Sequence, residues 1–415
     1  MSFVSQIKFL PKEIKSFAAT EALLGIGMGI FGLVLNLHLL ALGISPEVIG
    51  AISSVGVLIM GGSAVLAGIL ANYIGRKPVF IIGILFTGIG YGIFGASTSL
   101  SLFYFAQIIN SIGISFLITT EIQLLFYYSK TKDLETFSYS LLFASFTLFS
   151  GLGTLLGGFI PNWLPFGTTK YQYAIYISSG AILLAAFLRS ILLPNVNLIK
   201  NQNGSSKKSR LYNKFDGKIF LLSFFILLSG MAFSMIIPFQ NVIVKYRFNW
   251  SDEYVSYLLT ISGIFLFIGS IIMPYIINKF GRIKAFYYIY ILNLIFTIIL
   301  VFNVPLSVFS IVFLFRSGSF TLLNNMIESQ TMSVVSEEKR DLFAGTKSFI
   351  RSIGSAIASY LAGYILEGKN YTLPFLITFF LIGLSFIYFV FFIKPIFDKE
   401  YNTSDLIFEP DLENI

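Results

Sequence analysis

Gly68-Ile-Leu-Ala-Asn72-Tyr-Ile-Gly75-Arg76-Lys77 is a short basic turn with a long apolar run on each side. Residues 48–71 before it and 78–96 after it hold no charge, and each run is long enough to cross a bilayer as a helix. The segment between them is too short for anything but a tight hairpin. Gly75 supplies the backbone freedom that such a turn needs, and Pro78 suits the first turn of the second helix. Arg76 and Lys77 should hold the turn on the cytoplasmic side.

The same turn occurs again. Asn278-Lys-Phe-Gly281-Arg282-Ile-Lys284 repeats it, with Asn72 and Asn278, Gly75 and Gly281, and Arg76 and Arg282 each 206 residues apart. Upstream, Ser45 and Glu47 fall on Ser251 and Glu253 at the same displacement. A parallel repeat covering half the chain predicts two similar helical bundles in one polypeptide.

These residues carry a resemblance. Gly68-x-Leu70-Ala-Asn72-x-x-Gly75-Arg76-Lys77 is similar to the loop 2–3 signature of the major facilitator superfamily, G-x-L-a-D-r-x-G-r-k, whose weaker second copy belongs between helices 8 and 9. Through helix count, repeat and linker the resemblance extends over nearly the whole chain. It implies an all-α polytopic membrane protein with twelve transmembrane helices in two six-helix bundles, related by a pseudo-two-fold axis along the membrane normal. It also implies a transporter working by alternating access, with its solute bound between the bundles near midplane. One departure stands inside the motif, where the family's Asp is Asn72. Asparagine still caps a helix, but the charge–dipole part of the interaction, roughly 0.3–1 kcal/mol, is lost.

Composition gives the same class independently. Of 415 residues 56% are hydrophobic and only 12% charged, with a mean hydropathy of +0.82. Soluble domains carry about 25% charged residues. The absence of cysteine excludes disulfides, thiolate metal sites and a cysteine nucleophile, and one histidine leaves little room for a zinc site or a His-based triad. No metal and no cofactor is expected; the only ion invoked is a coupling proton. The net charge of +8 sits in short loops between apolar runs, which reads as topogenic charge and gives no reason to expect nucleic acid.

Twelve spans follow from apolar length and turn signals, at 17–42, 47–72, 78–97, 100–128, 136–160 and 170–193, then 217–244, 252–278, 283–303, 306–333, 343–366 and 372–394. The domains are thus residues 1–194, a first six-helix bundle; 195–216, a polar cytoplasmic linker; 217–394, a second six-helix bundle; and 395–415, an acidic cytoplasmic tail. Ahead of span one, residues 2–16 form an amphipathic stretch suited to the interface, with no cleavage pattern after it. Lys8, Lys12, Lys15, Arg76, Lys77, Lys130, Lys132, Lys279, Arg282, Lys284, Lys339 and Arg340 fall on one side, against Lys170, Lys245, Arg247 and Lys369 on the other. Both termini are therefore expected in the cytoplasm of a plasma-membrane protein.

Ionisable residues inside a span are expensive, so each needs a reason. Arg316 lies eleven residues past Pro305, about 16 Å deep at 1.5 Å per residue. It should face a watered cavity and bind an anionic or carbonyl-bearing solute, pair with a coupling acid, or serve structurally by bonding nearby carbonyls. Glu21, about one turn inside span one, is a candidate proton carrier or an interfacial glutamate reached by water. By similarity to family members with a Glu ending helix 4, Glu121 should pair with Arg76 and Glu328 with Arg282. Together with Gly68, Asn72, Gly75, Lys77, Asn278 and Gly281 these make a cytoplasmic gate. Lys347 and Arg351 share a helix face and could also balance Glu328.

Span four departs from the family's R-x-x-q-G-x-g, with Gln107 in place of an Arg often tied to proton coupling. Gln107 and Asn110 share one face and could bond a polar solute or a neighbouring helix; near the external end of span one, Asn36 is a further candidate for solute or coupling, and His38 reads as a satisfied polar residue. Glycine runs such as Gly25-x-Gly27-x-Gly29 and Gly151-x-Gly153-x-x-x-Gly157-Gly158 read as close helix packing. In the second run the antiporter subgroup's g-x-x-x-G-P-x-x-G-G has Phe149 and Thr154 where it expects Gly and Pro, which weakens drug/proton antiport.

The reading is a secondary active transporter of a small organic solute, proton-coupled, monomeric, with the lipid bilayer as its other partner. A uniporter, a channel-like facilitator or a non-transporting sensor of the same fold are the alternatives. An enzyme is not expected, because a lipid-handling membrane enzyme would need clustered acids or histidines at an interface.

Overall fold

A computed structural model describes residues 10–129, 131–195 and 217–399, without the side chains at 132, 133, 337, 338 and 341. The linker from 196 to 216, the tail from 400, residues 1–9 and Lys130 lie outside the described residues. Among those described, twelve helices are long and apolar enough to cross a membrane. They are α1 (Lys12–Ala41), α2 (Pro46–Ile74), α3 (Arg76–Ala96), α4 (Leu100–Tyr128), α5 (Lys132–Trp163) and α6 (Gln172–Leu192), then α7 (Gly217–Phe248), α8 (Asp252–Phe280), α9 (Arg282–Ile299), α10 (Leu306–Ser333), α11 (Glu337–Glu367) and α12 (Leu373–Lys399).

Several helices run beyond the apolar stretches that revealed them. From Lys12 onward the amphipathic segment is no separate interfacial helix but the first turns of α1, with Ile14 buried and Lys12 and Lys15 exposed. The start of α5 is set by Thr131, whose hydroxyl accepts the Leu134 N–H at 3.3 Å. At the head of α2, Ser45 accepts from Val48 N at 3.4 Å and Pro46 occupies the first position.

The two repeated turns are each a single glycine. Gly75 (φ 95°) separates α2 from α3, and Gly281 (φ 76°) separates α8 from α9. Side chains with a Cβ avoid that region, so both turns depend on glycine. Another feature the apolar pattern did not show is a break in α7, where a 3-10 turn, Ile237–Phe239, interrupts the helix. Pro238 has no N–H to give the ladder and ends the first segment. In α12 a π turn, Phe389–Ile393, sets buried Phe389 against Phe286 with ring centroids 4.6 Å apart.

The chain divides into two compact units that do not follow the two halves of the sequence. The first holds α1–α6 together with residues 237–264 and 359–371; the second holds, of the described residues, 217–236, 265–358 and 372–399. In the first, α1 packs on α5 and α6, α3 on α4 and α6, and α2 on α4. Lipid tails are as apolar as the helices, so association depends on close packing. Gly29 on α1 and Gly153 on α5 provide it: a Cβ on Gly29 would strike the Ser150 carbonyl, and one on Gly153 the Ile26 carbonyl. In the second unit α9 packs on α10 and α12, and α7 on α12, the same pairings as α3 with α4 and α6, and α1 with α6. The repeat read from the turns is thus a repeat of packing.

Candidate functional site

In the first unit three ionisable side chains meet inside the bundle. Arg189 on α6 is fully buried, with its guanidinium against the stacked rings of Phe17 (4.5 Å) and Phe80 (4.9 Å). Its Nε donates to Thr20 Oγ1 at 2.9 Å and its Nη2 to the Phe17 carbonyl at 3.4 Å. Nη2 also ion-pairs with Glu21, while Nη1 reaches Glu121 Oε1 at 3.4 Å. Glu21 and Glu121 thus share one guanidinium, each through a different terminal nitrogen. A single guanidinium balances one negative charge, so two carboxyl groups around it leave one in excess.

This arrangement corrects the expected gate. Glu121 is turned inward to Arg189 and away from Arg76, which is exposed beside a groove lined by Gly68, Asn72, Thr119 and Gln123. Lys77 Nζ instead donates to the Ser190 and Leu193 carbonyls (2.9 and 2.6 Å), satisfying the open end of α6. In the second unit Glu328 is held by Lys347 and Arg351 of α11, where Arg282 was also expected. Arg351 continues to Asn324 and, at 3.3 Å, to Ser229.

Arg316 on α10 departs from expectation differently. It is 1% exposed and faces no watered cavity, because Phe320, one turn along, and Phe375 of α12 cover its guanidinium at 5.0 and 6.0 Å. Its Nε and Nη2 have no partner. Cation–π contact in a dry site contributes about 2 kcal/mol, while burying an unpaired cation costs several, so the rings do not offset the burial.

Gln107 and Asn110 part company. Gln107 donates to Ser111 Oγ at 3.3 Å and lies on Gly56 of α2, whereas Asn110 packs on Gly90 of α3. The Asn110 Oδ1 is buried without a partner, at the repeat position of Arg316, 206 residues away. Asn36 closes the break in α7 by donating to the Pro238 carbonyl at 2.6 Å, and Asn241 returns a bond to the Leu33 carbonyl at 2.6 Å. His38 bonds Thr169 through Nδ1 at 2.6 Å.

At the end of the first unit opposite the Gly75 turn, a second ionic cluster escaped the sequence reading. The buried Asp252 carboxylate pairs with Lys170 at 2.6 Å and with Lys245, and accepts from the Tyr171 hydroxyl at 3.1 Å. Burial and the Asp252 charge hold the Tyr171 phenol above its usual range. Glu253 accepts from Asn162, and Tyr360 donates to Glu47 at 3.1 Å. Among the described residues no group of acids and histidines is arranged to hold a metal.

A profile of the Major Facilitator Superfamily matches residues 17–214 and 222–406, nearly the whole described chain. The chain belongs to the Major Facilitator Superfamily. It is therefore an integral, multi-pass membrane transporter and not an enzyme. This superfamily member is 25% identical over 325 residues to Multidrug resistance protein 2 of Bacillus subtilis, covering 75% of this chain and 77% of the relative. With Quinolone resistance protein NorA of Staphylococcus aureus it shares 22% over 355 residues, 83% of this chain and 87% of that one. Its fold matches the crystal structure of the nucleoside transporter NupG with a TM-score of 0.75 at 15% identity, over 91% of this chain and 98% of that chain.

Arg189 is the residue of this superfamily site that sequence reasoning missed. It stands one turn from the end of α6, where an arginine normally reaches the interface. The available signal was its lack of any loop acid nearby, set against two glutamates inside other spans.

Proposed function

We propose that this superfamily transporter is a secondary active carrier that moves a small organic solute by alternating access, coupled to protons. It works as a monomer in the plasma membrane with both termini cytoplasmic. The observation that carries the coupling is that two carboxyl groups, Glu21 and Glu121, share the single guanidinium of Arg189, which balances one negative charge and favours a proton on one of the pair. Glu121 thereby passes from the gate to the proton site. The gate keeps Gly68, Asn72, Gly75, Arg76 and Lys77, with Asn278, Gly281, Arg282 and Glu328 in the second copy. Arg316 is the proposed solute contact of the second unit, Gln107 and Asn110 are separate polar candidates in the first, and Asn36 acts through the break in α7.

The names of the relatives, a multidrug and a quinolone resistance protein, support organic solutes as cargo. Phe149 and Thr154, in place of Gly and Pro, argue against taking drug antiport over unchanged. Gln107 in the position of the family's coupling arginine favours a second reading, a uniporter. Flux into proteoliposomes against a broad solute panel, with and without a pH gradient, separates the two. Accumulation that collapses with the gradient, and that Glu21→Gln abolishes while exchange persists, is the expected result. Equilibration indifferent to the gradient means a uniporter, and binding without flux rejects transport.

A further inference from the structure

One edge of the Arg316 guanidinium is buried with its hydrogen-bonding capacity unmet. The two unpartnered atoms, Nε and Nη2, are the two whose N–H bonds run parallel on the side of the guanidinium away from the side-chain stem. Together they form a side-on fork, whose spacing fits the two oxygens of a carboxylate. The Phe320 and Phe375 rings approach the guanidinium carbon at 5.0 and 6.0 Å and offer these N–H groups no acceptor oxygen. Nearby Phe309 and Phe313 are fully buried, which makes the surroundings apolar.

No described acid of the second unit supplies the missing charge. Glu328 lies twelve residues along α10 and is occupied by Lys347 and Arg351, and Asp398 pairs with Lys394 at 3.7 Å. A lysine would satisfy a point charge here; a planar fork beside aromatic rings selects a planar anion. We propose that the free edge of Arg316 binds the carboxylate of the transported solute, a small organic monoanion with an aromatic or aliphatic body. This rests on the transporter reading and adds the class of cargo.

The test uses the purified full chain, its melting followed by intrinsic fluorescence, with benzoate and its neutral amide benzamide as probes and sodium chloride holding ionic strength constant. Benzoate is expected to raise the wild-type midpoint in a saturable way, and benzamide to leave it unchanged. Arg316→Gln should abolish the benzoate shift, and Arg316→Lys should raise the half-saturating concentration on the order of tenfold, because a point charge lacks the fork. The unliganded Arg316→Gln protein should melt no lower than wild type, since no ion pair is broken, so loss of the shift cannot be ascribed to misfolding. An equal shift with benzamide, a benzoate shift that survives in Arg316→Gln, or no shift in wild type overturns the assignment. Should any of these occur while liposomes still accumulate an uncharged solute, transport stands and only the carboxylate falls.

Discussion

Arg189 illustrates how one residue can hold two others in place. If it is replaced by alanine, buried Glu21 and partly exposed Glu121 lose their cation, and breaking a buried pair such as Arg189–Glu21 costs about 3–5 kcal/mol. Arg189→Ala should therefore melt well below wild type. Adding Glu21→Gln and Glu121→Gln to it should recover much of the loss, because two neutral amides no longer need the guanidinium. A triple variant as unstable as Arg189→Ala would mean that the arginine acts through packing on Phe17 and Phe80 alone. At this scale the sequence was partly legible. Glu21, Glu121 and Arg316 stood out as charges within apolar runs. The partner of the two glutamates did not, because pairing depends on which faces of α1, α4 and α6 meet, and spacing along one helix carries no such information. The same limit hid the partner of Asn36, an acceptor that exists only because Pro238 breaks another helix 202 residues away.

Elements were far more legible, since a helix long enough to span a bilayer and a one-residue turn both leave local marks. Gly75 and Gly68 belong to the same motif yet differ in what holds them. Gly75 sits at φ 95°, and alanine there should destabilise by roughly 1–2 kcal/mol, read as a lower melting midpoint. Gly68 has open space around its α-carbon inside α2, so alanine should be neutral or stabilising by about 0.5–1 kcal/mol. If Gly68→Ala nevertheless lowers flux in liposomes while melting unchanged, its glycine is needed in another conformation, as the gate proposal requires. Full flux would remove Gly68 from the gate. Gly29→Ala is the contrasting case: its Cβ would strike the Ser150 carbonyl, and overpacking of this kind costs about 1–3 kcal/mol. The break in α7 and the π turn in α12 were not legible, because both preserve the apolar run that marks a span.

For the whole molecule the repeat was the decisive signal, and its 206-residue displacement reappears in the matched helix pairs of the two halves. What it could not foretell is where the ends of α7, α8 and α11 gather: they join the first six helices in one compact unit. Lys170, Tyr171, Lys245 and Asp252 fasten that end, and under the alternating access proposed above such a fastening has to open. Asp252→Asn leaves two lysine ammonium groups facing an amide, so the closed arrangement loses its counter-charge. Loss of even about 1.4 kcal/mol shifts the balance tenfold toward the open form. Because the protein has no cysteine, one introduced thiol reports alone. Ser256, fully buried just beyond Asp252 on α8, is the place for it. In Ser256→Cys a membrane-impermeant maleimide should react slowly. In the Asp252→Asn, Ser256→Cys double variant it should react about tenfold faster, and the added substrate or pH gradient that drives turnover should narrow the difference. Equal rates in the two proteins would show that Asp252 anchors its lysines without governing access.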